Sequence, residues 1–248
     1  MSRKLPWVAG AVAVAAIAAY LGCGFLLGSA LKAGVNTLAP RLTQTRVELR
    51  GARISPLGGS GTLTGLTVGN PGGWSDNDAM RFGRIRVRVA PLSLLGDPII
   101  IEDIEIDSPE FNYETRVVRS NLGDLLGNVE RLSDGGAAGD AGPAAGNGKP
   151  MRFEVRHFLM KEGRIRLGAG AAAITLPMPP IELSDIGTAE GGITANRLAL
   201  ALMRRLTTGV AAATTGAAGR IGSTLGAAAG DAARKAGERL KSLFGGDK

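Results

Sequence analysis

Arg84-Ile85-Arg86-Val87-Arg88-Val89 alternates a charged and an aliphatic side chain without a break. In a β-strand successive side chains point to opposite faces. A period of two therefore gathers Ile85, Val87 and Val89 on one side and the three arginines on the other. A helix would scatter both sets around its axis, so these six residues predict a half-buried strand. The stretches around it follow the same period. Residues 45–50 alternate likewise, Gly51 reads as a bulge or kink, and Ile54 resumes the pattern. Gly58-Gly59-Ser60-Gly61 and Gly69-Asn70-Pro71-Gly72-Gly73 read as turns on either side of a strand over residues 62–68. Residues 98–106 and 110–113 supply two more strands, split by Pro109. Residues 121–132 read as a short helix with Leu122, Leu125, Leu126 and Val129 on one face.

The pattern then returns. When residues 155–160 are set under 101–106, Val155 falls on Ile101, Phe158 on Ile104 and Met160 on Ile106; at the same offset Ile165 meets Phe111 and Leu167 meets Tyr113. Each unit reads as a strand, a turn (Asp107-Ser108-Pro109, then Lys161-Glu162-Gly163) and a second strand. Two copies predict an antiparallel sheet of repeated hairpins. Residues 171–176 and 181–186 add strands near an edge or corner, because Pro177, Pro179 and Pro180 suit no central strand. Residues 133–150 are almost wholly Gly, Ala, Asp, Asn and Pro and read as a flexible linker.

The sheet is preceded by an uncharged run from Val8 to Leu31, behind Arg3 and Lys4. At ~1.5 Å per residue it reaches about 36 Å, longer than the ~30 Å hydrocarbon core of a bilayer and too long for a signal-peptide core. It reads as an uncleaved transmembrane anchor with Trp7 at its interface, and a short helical stretch containing Pro40 follows at residues 33–42. The competing reading is a lipoprotein cleaved before Cys23, for which Leu21-Gly22-Cys23 is suggestive and Tyr20 unfavourable. Residues 194–244 have helical composition and no proline. Leu198, Leu202, Leu206 and Val210 form a stripe for packing on the sheet or on a membrane, and Gly222, Gly226 and Gly230 form a small-residue ridge. This tail holds most of the net charge of +7, which suits either anionic lipid or a solvated helix face.

Nothing in the sequence points to catalysis. His157 is the only histidine and Cys23 the only cysteine of the 248 residues, which excludes a His-based metal cluster, a His-containing triad and any intrachain disulfide. Asp103, Glu105 and Asp107 share a strand face but lack the glycine turns of a cation loop. Gly58-Gly59-Ser60-Gly61 precedes neither a lysine nor a helix, so it is no phosphate loop. The basic residues are not interleaved with aromatics and no recognition motif is present, so nucleic acid is not expected as a partner. No catalytic, cofactor-binding or metal-binding residue is assigned, and no enzyme activity is expected.

From the N-terminal anchor through residues 46–121 the chain resembles the N-terminal part of AsmA-like proteins, membrane-anchored bacterial envelope proteins. The likeness rests on Val47-Glu48-Leu49, Gly61-Thr62-Leu63-Thr64-Gly65-Leu66-Thr67-Val68, Asn70-Pro71-Gly72-Gly73-Trp74, Ile85-Arg86-Val87, Ser93-Leu94-Leu95, Ile101-Glu102-Asp103-Ile104-Glu105-Ile106-Asp107-Ser108-Pro109 and Asn121-Leu122. The resemblance implies a chorein-like sheet groove, a single-pass inner-membrane protein with its N-terminus cytoplasmic and its body periplasmic, and a role in lipid transport, outer-membrane biogenesis or envelope homeostasis. Larger members build long grooves from many repeats; this chain is too short to span a periplasm alone.

The resulting expectation is an α+β chain in five parts: an anchor and juxtamembrane helix (1–43), a β-rich module (44–132), a linker (133–150), a second unit of the same sheet (151–192) and a basic helical tail (193–248). Val47, Leu49, Leu63, Leu66, Val68, Ile85, Val87, Val89, Ile104 and Ile106 are the candidates for a lipid groove. Arg84, Arg86 and Arg88 are candidates for anionic headgroups, or else a row of cations that keeps a strand face wet. Membrane lipids and other envelope proteins are the expected partners. An interaction module with its apolar face closed by the C-terminal helix is the alternative.

Overall fold

A computed structural model describes residues 5–116, 118–133, 150–168 and 173–217, with 5–17 as helix backbone alone. It is a mixed α+β chain built on one large, mostly antiparallel sheet. The strands are β1 (Val47–Ser55), β2 (Ser60–Gly69), β3 (Asp78–Val89), β4 (Ile99–Asp107), β5 (Glu110–Tyr113), the small pair β6 (Thr115–Arg116) and β7 (Arg119–Ser120), then β8 (Arg152–Lys161), β9 (Arg164–Leu167), β10 (Ile174–Pro177), β11 (Ile181–Ile186) and β12 (Ile193–Thr194). The helices are α1 (Leu5–Thr43), α2 (Asn121–Ser133) and α3 (195–217). Charges at Arg3 and Lys4, most of the linker, the glycine ridge and the tail beyond residue 217 lie outside the described residues.

The repeated units are not hairpins. β3 faces β4 with Arg84 opposite Asp107 and faces β5 with Arg81 opposite Glu110, so the register is unbroken and β4–β5 is one long antiparallel partner of β3. β8–β9 is continuous in the same way, and it lies parallel to β4–β5: Ile101 pairs with Val155, Ile106 with Met160 and Phe111 with Ile165. The sequence repeat is thus the register of a parallel pair. The segments read as turns are kinks, with Ser108 (φ 48°) and Glu162 (φ 57°) in the left-handed region. A parallel pair needs a crossover rather than a tight turn, and α2 together with the segment after it supplies the connection.

These kinks belong to a crease that crosses the whole sheet. In each long strand the apolar period of two lengthens to three at one common level: Leu49 to Ala52, Leu63 to Leu66, Phe82 to Ile85, Ile106 to Pro109, Met160 to Gly163 and Met178 to Ile181. The steps face one another, since Leu49 pairs with Leu66, Ala52 with Leu63, Leu63 with Ile85, Ile85 with Ile106, Ile106 with Met160 and Met160 with Ile181. Gly51 is therefore no bulge: β1 and β2 keep one register from Val47–Val68 to Ser55–Ser60. The irregular residue is Gly65 (φ 65°), where a Cβ would lie 2.2 Å from Nε of Arg50.

Helices cover one face of the sheet. Leu122 and Leu125 of α2 and Met203, Leu206 and Val210 of α3 join Val47, Met80, Phe111, Phe158 and Met160 in a single buried cluster. The turn after β2 locks α2 in place. Asn121, fully buried, donates to Asn70 Oδ1 and to the Asn112 carbonyl, both at 2.7 Å, and accepts from the Glu114 amide at 3.0 Å. Trp74 Nε1 donates to Asp124 at 2.8 Å. The Asn70–Trp74 turn and the Asn121-Leu122 pair, far apart in sequence, thus form one joint.

The expected anchor and juxtamembrane helix are one helix of 39 residues that includes Pro40. Among the described residues it is the one helix long and apolar enough to cross a membrane. Its second half runs antiparallel along the outer edge of β1. Asn36 pairs with Leu49 as another strand would, its Oδ1 accepting from the amide at 2.6 Å and its Nδ2 donating to the carbonyl at 3.3 Å. Farther along, Tyr20 and Ser55 share a hydroxyl hydrogen bond of 2.7 Å. Between these points Gly24 and Gly28 are buried, and a Cβ there would stand 2.6 Å from the Ile54 carbonyl oxygen and 2.4 Å from that of Ala52.

Two substitutions test these joints. Asn121→Ala leaves buried polar groups unpaired and should cost about 2–4 kcal/mol, at 1–3 kcal/mol per orphaned group. Gly28→Leu forces α1 off the β1 edge and should cost ~1–3 kcal/mol, as overpacking does; thermal unfolding in mild detergent reads both.

Candidate functional site

All ten groove candidates fall on the helix-covered face. Val47, Leu49, Val68, Ile85 and Ile106 are buried, whereas Leu63, Leu66, Val87, Val89 and Ile104 are only half-buried. Burial varies across the face. On β8, under α3, Val155 and Phe158 are 0% and 2% exposed. On β3 and β4 their neighbours Val87, Val89, Ile101 and Ile104 stay partly open. The stripe expected on the C-terminal helix does pack on the sheet, with Leu206 and Val210 in the core and Leu198 and Leu202 against it. The predicted groove is therefore sealed in part, and its accessible portion lies on the β1–β4 side.

The arginine candidates lie on the opposite face, separated from those apolar residues by the sheet itself. Arg84, Arg86 and Arg88 stand directly across from Asp107, Glu105 and Asp103. Arg86 donates to Glu105 at 3.0 Å and to Asp107 at 2.6 Å, and Lys161 approaches the same two carboxylates from β8. Arg88 lies 3.7 Å from Glu102 and 3.8 Å from Asp103. Arg84 makes no ion pair among the described residues. Hydrogen bonds from Lys161 and then Arg86 hold the Glu105 carboxyl below its ordinary range. The acidic run of β4 is thus neutralised by cross-strand cations, as opposite charges on facing strands should be. Among the described residues no group of three or more His, Cys, Asp or Glu side chains is placed to hold a metal ion.

His157 sits on this polar face, its Nδ1 2.6 Å from Asp103 and its Nε2 3.2 Å from Glu182. A cleft of about 340 Å³ opens on the same face beyond the crease, lined by Asn77, Arg81, Glu110, Asn112, Arg164 and Thr175. Both signs of charge meet in it.

No family model and no curated protein matches the chain. Its surfaces must therefore be read from their own chemistry, and one of them escaped the sequence. Leu57, Leu92 and Leu95 are 82%, 84% and 89% exposed and Leu94 is exposed too, all at the end of the sheet beside Tyr20. Pro56-Leu57 lies in the β1–β2 turn, and Pro91–Leu95 forms a 3-10 turn after β3. The signal was available: residues 55–68 and 90–96 carry no charge, although both contain connections that water-facing loops usually fill with polar residues.

The His157 site gives a direct test. Hydrogen bonds donated to Asp103 and then to Glu182 raise its pKa above the ordinary 6.5. Because the folded value exceeds the unfolded one, the imidazolium's contribution to stability is complete below pH 6.5 and disappears as the pH rises through the folded value. NMR titration should find the midpoint above 6.5 in the native chain and lower in Asp103→Asn.

Proposed function

We propose that this is a membrane-anchored envelope protein of the AsmA-like type, with α1 in the inner membrane, the sheet on the periplasmic side, and lipid bound or shuttled on the helix-covered face in support of envelope homeostasis. The observation that carries this reading is the half-buried apolar surface of Leu63, Val87, Val89, Ile101 and Ile104, which lies next to an edge strand bordered by a helix apolar enough for a bilayer. Acyl chains suit such a surface because it offers aliphatic contact and no buried charge. The arginines of the opposite face contribute solubility and strand pairing rather than headgroup recognition.

A second reading is favoured by the packing of Met203, Leu206 and Val210. In that reading α3 closes the β8 side, and the body is an interaction module that presents its surface to another envelope protein in place of a lipid.

Mass spectrometry of the full chain after gentle detergent extraction separates the two. The lipid reading expects co-purifying phospholipid that falls several-fold in Val87→Gln and Ile104→Gln but not in Arg86→Gln. Lipid-free protein from repeated gentle preparations overturns it and leaves the interaction module, whose partner in-cell crosslinking should capture.

A further inference from the structure

We infer that the leucine tip of the sheet, Leu57 with Leu92, Leu94 and Leu95, is embedded in the leaflet that α1 enters, so that the sheet is partly sunk in the bilayer rather than hung above it. This rests on the reading of α1 as a membrane span, and not on any lipid cargo.

The first observation is one of length. Tyr20 is bonded to Ser55 at the end of β1, so only Leu5–Ala19 of α1 continues past the sheet. Those residues reach about 22 Å at ~1.5 Å each, well short of the ~30 Å hydrocarbon core, and Lys4 sets a charged limit just before them. The missing length has to come from Tyr20–Leu31. That part of α1 lies against β1, yet Leu21, Phe25 and Leu26 on its free flank are 63%, 75% and 68% exposed. If this flank lies in lipid, the end of the sheet bonded beside it lies there as well.

The second observation is the chemistry of the tip. The two turns form one surface: the Val89 amide donates to the Gly59 carbonyl at 2.7 Å, and a Cβ on Gly59 would stand 3.0 Å from Cγ of Pro91. Four exposed leucines on adjoining turns make an apolar projection, which water alone does not explain.

The third concerns the backbone, whose polar groups must be satisfied internally wherever water is absent. Ser93, the hydroxyl within the Leu92–Leu95 turn, points inward, donating to the Ala90 carbonyl at 2.7 Å and accepting from the Ile100 amide at 2.9 Å. The Ser93 and Gly96 amides donate to Ala90 and Ser93 carbonyls at 3.0 and 3.1 Å. On the β1 edge, the carbonyls of Ala52 and Ile54 lie against Gly28 and Gly24 of α1, which shield them from the surroundings. The tip thus offers leucine side chains outward and few free polar groups.

The test places single cysteines in a Cys23→Ser background of the full chain: Leu57→Cys and Leu95→Cys at the tip, Gly72→Cys at the opposite end of the sheet, and Val14→Cys in the apolar run. Each is labelled with an environment-sensitive fluorophore in nanodiscs of phosphatidylcholine and phosphatidylglycerol. Labels at 57, 95 and 14 should be blue-shifted, quenched by nitroxide carried on the acyl chains and protected from aqueous iodide; the label at 72 should show the reverse. If the label at 14 is in lipid while those at 57 and 95 stay open to iodide, the tip is not embedded and the anchor stands. If the label at 14 is open to iodide, the anchor fails and the embedded tip with it. Labels at 57 and 95 shielded from both quenchers would mean that a second copy of the chain covers the tip, which also overturns the proposal.

Discussion

The fold depends on keeping apolar side chains on one face of the sheet while its strands pass through a crease. Hydrogen-bond register and side-chain phase are separate properties of a strand pair, and a slip of one residue sends every following side chain to the wrong face. If a single strand took the three-residue step alone, its apolar residues beyond that point would be carried among the arginines. All six long strands take it at facing positions, so phase changes together and the register is kept across the crease. Gly65 meets the demand with a left-handed conformation that glycine adopts freely. Ser108 and Glu162 adopt similar angles without that freedom, at a cost on the order of 1–3 kcal/mol each, and their side chains share a 3.3 Å hydrogen bond.

This explains what the sequence did and did not reveal. Alternation along residues 45–50 and 84–89 placed both strands and their apolar faces correctly, because period two is a local property. The repeat of residues 101–113 at 155–167 was also visible, but a sequence repeat does not say whether its copies pair, or in which direction. Ser108-Pro109 and Glu162-Gly163 carry the residues of turns, and only their position opposite one another, which is a tertiary fact, makes them kinks. Asn36 and the Gly24–Gly28 spacing gave no local sign that a helix would border a sheet edge. The leucines of the tip were hidden for another reason: residues 56–57 and 90–95 lie between the predicted strands, where no period assigns a side chain to a face.

Charge and apolarity are divided cleanly between the faces. Arg86, Lys161, Glu105 and Asp107 form a compact network on one side, and exposed pairs of this kind contribute little stability individually, about 0–1 kcal/mol. Their value is to give the uncovered side of a broad sheet a surface on which a helix gains nothing by packing. α2 and α3 both settle on the other side, so each apolar row has a cover or a half-cover. The edges of the sheet differ as well. β1 is bordered by α1, with Asn36 occupying the Leu49 amide and carbonyl. The far edge is interrupted by Pro177, Pro179 and Pro180, which cannot donate to an incoming strand.

The parallel pairing of β4–β5 with β8–β9 also constrains the order in which the molecule can be assembled. β1 to β4 are joined by short connections and can zip together as soon as they emerge. The next partner in the sheet lies 54 residues downstream, as the Asp103–His157 contact records. Until that segment emerges, the side of β4–β5 away from β3 is a bare row of amides and carbonyls with isoleucines beside it. Non-local pairing is slow because loop closure precedes any reward, and unpaired edges of this kind invite association between nascent chains. Throughout that interval the first half of the protein is the segment in most need of a chaperone.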